Sequence, residues 1–251
     1  MSKKAIGIDI GGTGIKGAVV DVKSGKLLSE RFRYPTPEGG SPKAIANTLR
    51  ELIKNLPNPQ GLPVGICFPA VVKNGVTMSA ANVSREWIGL DADRLFQREL
   101  KTTVHVLNDA DAAGLAEAKY GSASKQKGLV IVTTLGTGIG TALIYNGKLI
   151  PNSELGHLEI SGIDYETKAA FSAKERENLT WAQWTKRLQT YYTALEALLT
   201  PDLFIVGGGV SKEHDQFLPL LKLKTPIVPA FNRNSAGIMG AAYWAKKHTT
   251  D

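Results

Sequence analysis

Cysteine is nearly absent from this chain of 251 residues, with Cys67 its single example. One thiol excludes an internal disulfide and any zinc site built from several thiolates. No apolar run is long enough to cross a bilayer. The opening MSKKAIGIDI has a short apolar part broken by Asp9 and no small-residue cleavage site after it. Neither a membrane span nor a secretory leader is therefore expected, and the cytoplasm is the expected location. No G-x-x-x-x-G-K-[ST] string occurs, which excludes a P-loop. Acidic residues are fewer than basic ones, 23 against 30, for a net charge of +7. Such a surplus is either a solvated lysine-rich surface or a field that draws a polyanion, of which nucleic acid is only one kind.

What is present is an ordinary globular composition, 43% hydrophobic, with length enough for one large domain or two small ones. Its organising feature is a repeat. DIGGTGIKGAVV runs from Asp9 to Val20 and TLGTGIGTALI from Thr134 to Ile144. A shift of 124 places Gly12-Thr13-Gly14-Ile15 on Gly136-Thr137-Gly138-Ile139, and puts Asp9 and Lys16 on Thr133 and Gly140. Each half thus opens with strand, glycine turn, strand and turn, the pattern of two related lobes.

Gly12, Gly14 and Gly17 formally fit G-x-G-x-x-G, but a dinucleotide fingerprint needs a helix after the turn. Here β-branched AVVDV follows, so the element is a hairpin. A glycine hairpin still brings main-chain N–H groups close to an anion. The donors expected are Gly11, Gly12, Thr13 and Gly14 in the first copy and Thr134, Gly136, Thr137 and Gly138 in the second, with Lys16 as the best single cation. Arg85, Arg98 and Lys212 are weaker candidates. Two such hairpins, one per lobe, could grip a phosphate chain from both sides.

Between these motifs the sequence predicts alternating strands and helices. KLLSERFRY and LPVGICF read as strands, and VVKNGVTM as a hairpin turning at Asn74-Gly75. A helix capped by Ser41, with Pro42 in its first position, should bury Ile45, Leu49, Leu52, Ile53 and Leu56. Helices are also expected near 91–101, 109–120 and 235–247, and over 180–199 behind the capping pair Thr180 and Gln183. In that long helix Trp181, Trp184, Leu188, Tyr191, Leu195 and Leu198 make a stripe suited to core or subunit interface. GSASKQKG, Gly121 to Gly128, is the best linker. Domains are accordingly expected over 1–120 and 121–234, with 235–251 returning to the first lobe.

Polar groups that could hold a hydroxylated substrate fall in three strings. LNDADAAGLAE puts Asn108 and Asp109 where a strand meets a helix, with helix capping as Asp109's alternative role. NSELGHLEI offers Glu154 and His157, with Glu159 in reserve, and DYETKAAFSA offers Glu166. Phosphoryl transfer to a hydroxyl needs a carboxylate at the acceptor oxygen and donors around the moving phosphoryl, which is this set of residue types.

The two hairpins and the turn Gly207-Gly208-Gly209 in VGGGVSK resemble the phosphate motifs of the actin-like sugar kinase superfamily. Asn108-Asp109-Ala110-Asp111, Glu154-Leu155-Gly156-His157 and Glu166-Thr167-Lys168-Ala169 resemble three motifs of the ROK family of repressors and kinases. SAANVSREWIGLD, GTGIGTALIYNGKLIPNSELGHLE and LFIVGGGVSK resemble its bacterial polyphosphate-using glucokinase branch, with likeness along essentially the whole chain. The resemblance implies an α/β, two-lobed actin-like ATPase (ribonuclease H-like) fold with the active site in the interdomain cleft. It implies Asp109 as general base and Asn108, Asp109, Glu154, His157 and Glu166 as glucose ligands. It implies Mg²⁺ on Asp9, directly or through water, polyphosphate or ATP as donor, glucose and in some members mannose as acceptor, and a homodimer. Neither nucleic acid nor membrane is an expected partner. Typical members carry a cysteine-rich zinc segment after the histidine motif. Here LEISGIDY has no cysteine, so no zinc is expected and hydrogen bonds must position His157. Two other readings are a sugar-responsive regulator, which needs a DNA-binding segment ahead of Asp9, and an actin-like filament, which gives Glu154, His157 and Glu166 no purpose.

Overall fold

The computed structural model describes residues 3–80, 83–232 and 235–249. Ala81 and Asn82 of the SAANVSREWIGLD stretch, and the outermost residues of the expected domains, lie outside them. The chain divides into two compact units, Met1–Ala116 with Ser235–Asp251, and Glu117–Asn234.

In the first unit β1 (Lys4–Ile10) and β2 (Ile15–Asp21) form an antiparallel hairpin, and β3 (Phe32–Tyr34) extends it. Helix α1 (Pro42–Lys54) follows, then β4 (Val64–Phe68), the small hairpin β5 (Val72–Lys73) and β6 (Val76–Thr77), α2 (Ala92–Leu100), β7 (Val104–Asn108) and α3 (Asp109–Tyr120). The sheet order is β3-β2-β1-β4-β7, with β4 and β7 parallel to β1 and its neighbour. Strand alternation turns Ile6, Ile8 and Ile10 into a core with Leu49, Leu52, Phe68, Trp87 and Phe96. The other face is small, with Ala5, Ala18 and Val20 packed on Ile238 and Ala242 of the last helix, α7 (Ala236–Thr249). A Cβ on Gly7 or Gly65 would run into the main-chain oxygen of Ile238 or Ala241, so glycine lets α7 lie directly on the sheet.

Local signals are realised as the residues dictate. The Ser41 hydroxyl accepts the Ala44 N–H at the start of α1, and Asn74 and Gly75 both take positive φ at the β5–β6 turn. The strand expected over KLLSERFRY is largely lost. The Ser29 hydroxyl takes the Val19 N–H at 3.0 Å where a ladder carbonyl would sit, which leaves a bridge at Leu27 and pairing only over Phe32–Tyr34.

The second unit repeats the plan. Strands β8 (Leu129–Leu135), β9 (Ile139–Tyr145) and β10 (Lys148–Ile150) precede the hairpin β11 (Glu159–Ile160) and β12 (Ile163–Asp164). Helices α4 (Glu166–Ala169), α5 (Phe171–Arg176) and α6 (Trp181–Leu199) lead to β13 (Leu203–Gly207) and β14 (Ile227–Pro229). The main sheet order, β10-β9-β8-β13-β14, matches the first sheet strand for strand. The Thr180–Gln183 capping box forms, and α6 buries Trp184, Leu188, Tyr191, Tyr192 and Leu195, whereas Leu198 is 65% exposed.

The units divide between Ala116 and Glu117, inside α3, a few residues ahead of the boundary expected at Tyr120–Gly121. Glu117 explains the shift. Its buried carboxylate accepts N–H groups of Ser122, Phe231 and Asn232 at 2.8, 3.2 and 2.8 Å, tying the end of α3 into the second unit. Residues Ser235–Asp251 group with the first unit, where α7 packs on β1, β4 and β7. No described helix is long and apolar enough to cross a membrane.

Candidate active site

In each glycine hairpin three loop carbonyls are occupied, while most of the loop N–H groups are not. In the first, Gly11 N–H donates to Gly14 O at 3.0 Å. Thr36 Oγ1 donates to Gly11 O at 2.5 Å, and Arg33 Nη2 to Thr13 O at 3.3 Å. Among the described residues the N–H groups of Gly12, Thr13 and Gly14 meet no acceptor. In the second, Gly136 N–H donates to Gly138 O at 3.0 Å. Ser172 donates its N–H to Gly136 O at 3.0 Å and its hydroxyl to Thr137 O at 2.6 Å. The N–H groups of Thr137 and Gly138 likewise meet no acceptor among the described residues. Open, convergent main-chain donors are what an anion nest requires.

The copies differ in register. Ile10 pairs with Ile15 across the first loop and Leu135 with Ile139 across the second, so the first loop is longer by one residue. Asp9 faces Lys16, and the residue facing Gly140 is Thr134, not Thr133. The counterpart of Asp9 is therefore Thr134, half-exposed at the strand end, whereas Thr133 is a core residue whose hydroxyl meets Tyr192 Oη at 2.6 Å. On β13, Gly207 pairs with Thr134. Gly208 has φ 83° beside the Leu135 main chain, and its carbonyl accepts the N–H and hydroxyl of Ser211. Gly209 opens the short helical turn that follows.

Asp9 sits at the carboxyl end of β1. Its Oδ2 pairs with Lys16 Nζ at 3.2 Å and its Oδ1 accepts the Cys67 thiol at 3.4 Å. Burial pushes the Cys67 thiol well up, and the negative charges of Asp9 and then Asp109 add to it, so both carboxylates stand within electrostatic reach of one sulfur. Asn108 ends β7 and is buried. Its Nδ2 donates to Ala70 O at 3.1 Å and its Oδ1 accepts the Asp111 N–H at 3.0 Å, capping α3. Capping is thus Asn108's work. Asp109 projects to the surface between buried neighbours, with Oδ1 accepting the Ala110 N–H at 2.8 Å.

In the second unit the turn Leu155–His157 is tied to β9, because Thr141 Oγ1 accepts the Leu155 N–H at 3.1 Å and a Cβ on Gly156 would strike Ile139 O. His157 Nδ1 meets Asp164 Oδ2 at 2.9 Å. That hydrogen bond raises the imidazole pKa first, with burial opposing and Glu166, Asp164 and Glu154 adding to the rise. Glu154 is raised by packing on its inner side, with His157 lowering it and Glu166 raising it. Glu166 Oε2 accepts the Ile139 N–H at 2.7 Å. Glu154, His157, Asp164 and Glu166 therefore share one electrostatic neighbourhood. Glu159 pairs with Asp164 across β11–β12 and is exposed.

Sequence reasoning missed Asp164, Ser172, Thr36 and Arg33. Each acts through main-chain or single side-chain contacts that no motif spacing encodes, although the S-G turn at Ser161-Gly162 marks the hairpin that delivers Asp164. Of the weaker cations, Arg98 pairs with Glu99, and Arg85 and Lys212 lie exposed in short helical turns. Among the described residues no three His, Cys, Asp or Glu side chains group as a metal site.

Two sheets of one strand order, each opening with a glycine hairpin, define the actin-like ATPase fold of the sugar kinases. The chain belongs to the ROK family, which matches residues 5–169. It is 46% identical over 249 residues to the polyphosphate glucokinase of Mycobacterium tuberculosis H37Rv, covering 99% of this chain and 93% of that one. The crystal structure of an inorganic polyphosphate/ATP-glucomannokinase from Arthrobacter sp. strain KM superposes with a TM-score of 0.93 at 53% identity, covering 98% and 99% of the two chains. A ROK glucokinase from Streptomyces griseus, solved with glucose and AMPPNP, shares the fold at a TM-score of 0.83 and 24% identity over 97% of this chain and 99% of that one.

Proposed function

We propose that this chain is a hexose kinase that moves the terminal phosphoryl group of inorganic polyphosphate, or of ATP, to the 6-hydroxyl of glucose. The observation that carries this reading is the pair of hairpins whose loop carbonyls are mostly occupied and in which the N–H groups of Gly12, Thr13, Gly14, Thr137 and Gly138 remain open among the described residues. Each offers fixed main-chain donors to phosphate oxygens without reorganisation. The relatives named above support the same donor and acceptor, and mannose as a second sugar.

Asp109 accepts the proton of the sugar's 6-hydroxyl. The oxygen forms its bond to the terminal phosphorus, and the bridging P–O bond breaks with its electron pair leaving on the shortened chain or on ADP. Asn108 fixes the helix start that carries Asp109, and Asn108, Glu154, His157 and Glu166 bind sugar hydroxyls. Gly11 to Gly14, Lys16, Thr134, Gly136 to Gly138 and Gly207 to Gly209 serve the donor. Asp9 suits Mg²⁺, which takes one or two carboxylates together with substrate phosphates and water. Half-buried, it meets Lys16 on Oδ2 and the Cys67 thiol on Oδ1, and a carboxylate with about four lone-pair sites would keep some for such a ligand, directly or through water. The ion supplies neutralisation of donor oxygens. A cytoplasmic homodimer completes the proposal.

The test is a single-turnover assay with labelled glucose, comparing polyphosphate with ATP at equal phosphate concentration. Transfer from polyphosphate at least as fast as from ATP is expected, and a large ATP advantage would replace this reading by an ATP-dependent glucokinase or mannokinase. Asp109→Asn should retain glucose affinity and lose about 10²–10⁴-fold in kcat. Near-normal turnover in that variant removes the base assigned here.

A further inference from the structure

The cation that sequence reasoning favoured, Lys16, has its charge matched by Asp9 at 3.2 Å. The next position in the same row across the sheet is Arg33 on β3. Register aligns Asp9 with Lys16 and Lys16 with Arg33, so the three side chains share one face of the sheet. Arg33 is exposed, and among the described residues no carboxylate pairs with it. Among the described residues its one hydrogen bond goes to Thr13 O, which uses one of the five N–H donors of a guanidinium. The same group lies over Gly14, where a Cβ would approach its Nε and Nη2 to 2.9 Å. A planar cation with unused donors is therefore fixed on the loop whose N–H groups are open.

We propose that Arg33 is a donor-binding residue that takes phosphates of a polyphosphate chain beyond the reacting one, and so favours long chains. This rests on the donor assignment made under Proposed function. The chemistry is that of a linear polyanion. A guanidinium binds phosphate oxygens through paired N–H groups, and each further phosphate within reach adds a charge-assisted hydrogen bond. ATP gains less, because its phosphates end in a nucleoside.

The experiment compares wild type, Arg33→Gln and Arg33→Lys, using polyphosphates of graded length, ATP, and direct calorimetric binding of polyphosphate. Gln removes the charge and, two bonds shorter than the guanidinium tip, also gives up the contact with Thr13 O, and Lys restores the charge without the fork. Arg33→Gln should raise KM and Kd for long polyphosphate about tenfold, as one charge-assisted hydrogen bond implies. The loss should shrink as the chain shortens. KM for ATP should rise clearly less than KM for long polyphosphate, KM for glucose should stay within about twofold, and the salt dependence of polyphosphate binding should become shallower. Arg33→Lys should recover part of the loss. Equal losses for ATP and polyphosphate would mean that Arg33 only shapes the loop, and an unchanged polyphosphate Kd in Arg33→Gln would overturn the proposal outright. Wild-type protein that binds polyphosphate without turning it over defeats the donor assignment alone, and the binding measurements still decide the role of Arg33.

Discussion

Glu166 Oε2 accepts the main-chain N–H of Ile139 at 2.7 Å, so a side chain proposed to hold the sugar also fixes the first residue of β9 after the second glycine loop. Gly138, just before it, has no room for a Cβ because the same carboxylate fills the space. The proposed sugar and donor sites of the second unit would thus be joined through one carboxylate.

That bond separates two substitutions. Glu166→Ala removes both functions and should raise KM for glucose and for the phosphoryl donor by roughly tenfold each. Glu166→Gln keeps an acceptor for Ile139 and should raise KM for glucose alone. Steady-state kinetics with each substrate varied decides the matter, and an unchanged donor KM in Glu166→Ala would show that the hairpin does not depend on this contact.

Much of this architecture was legible because it is written locally. Ser41 and Pro42 announce α1, Asn74-Gly75 announces a hairpin, and Thr180 with Gln183 announces α6. The repeat was legible too, yet its register was not. Matching the string Gly-Thr-Gly-Ile aligns the second strands of the two hairpins and hides the extra loop residue before it. Core alternation holds the information: Ile6, Ile8 and Ile10 match Ile131, Thr133 and Leu135, which share a buried face, at a shift one residue greater. Arg33, Asp164 and Ser172 were illegible because their partners lie across folded turns and are mostly carbonyls, which no residue type reveals.

The corrected register separates Thr133 from Thr134. Thr133→Val strands the buried Tyr192 hydroxyl and should cost about 1–3 kcal/mol of stability with little change in donor KM. Thr134→Val should do the reverse, raising donor KM roughly severalfold at near-normal stability. Adding Tyr192→Phe to Thr133→Val should recover most of the lost stability, since both polar partners are then gone. Denaturant titration and donor kinetics on the same preparations provide the check, and a donor defect confined to Thr133→Val would restore the original alignment.

His157 and Asp164 predict a pH effect. The imidazole pKa is raised first by its hydrogen bond to Asp164, so the protonated form persists above the ordinary histidine value. A contribution from imidazolium is complete below that ordinary value and fades as pH rises through the raised one. Asp164→Asn removes the anion, so the imidazole should titrate at lower pH and the alkaline limb of kcat/KM for glucose should move down with it. NMR titration of His157 beside the pH–rate profile tests the link. A lowered imidazole pKa with an unmoved limb would show that the charge on His157 is not used.

Asp93 carries a stability prediction away from the chemistry. Its carboxyl is pushed up to about 6, chiefly by burial, while the Val106 N–H and His248 lower it and Asp91 raises it. The Val106 N–H donates to Oδ1 at 2.7 Å. Because the folded pKa lies above the unfolded value, the native state resists ionisation. Stability is unpenalised below the unfolded pKa near 3.8, falls as pH rises toward 6, and stays reduced above it. Asp93→Asn keeps an acceptor for Val106 and removes the charge. At pH 7.5 it should gain about 1 kcal/mol, a figure discounted for partial solvent contact, or roughly 2–4 °C in Tm for a chain of this size. The gain should shrink as pH falls through 6 and disappear below about pH 3.8, where Asp93 is largely protonated in the folded and the unfolded chain alike. Thermal melts across that range measure it, and a gain that persists at acid pH would place its origin in packing, not in the charge.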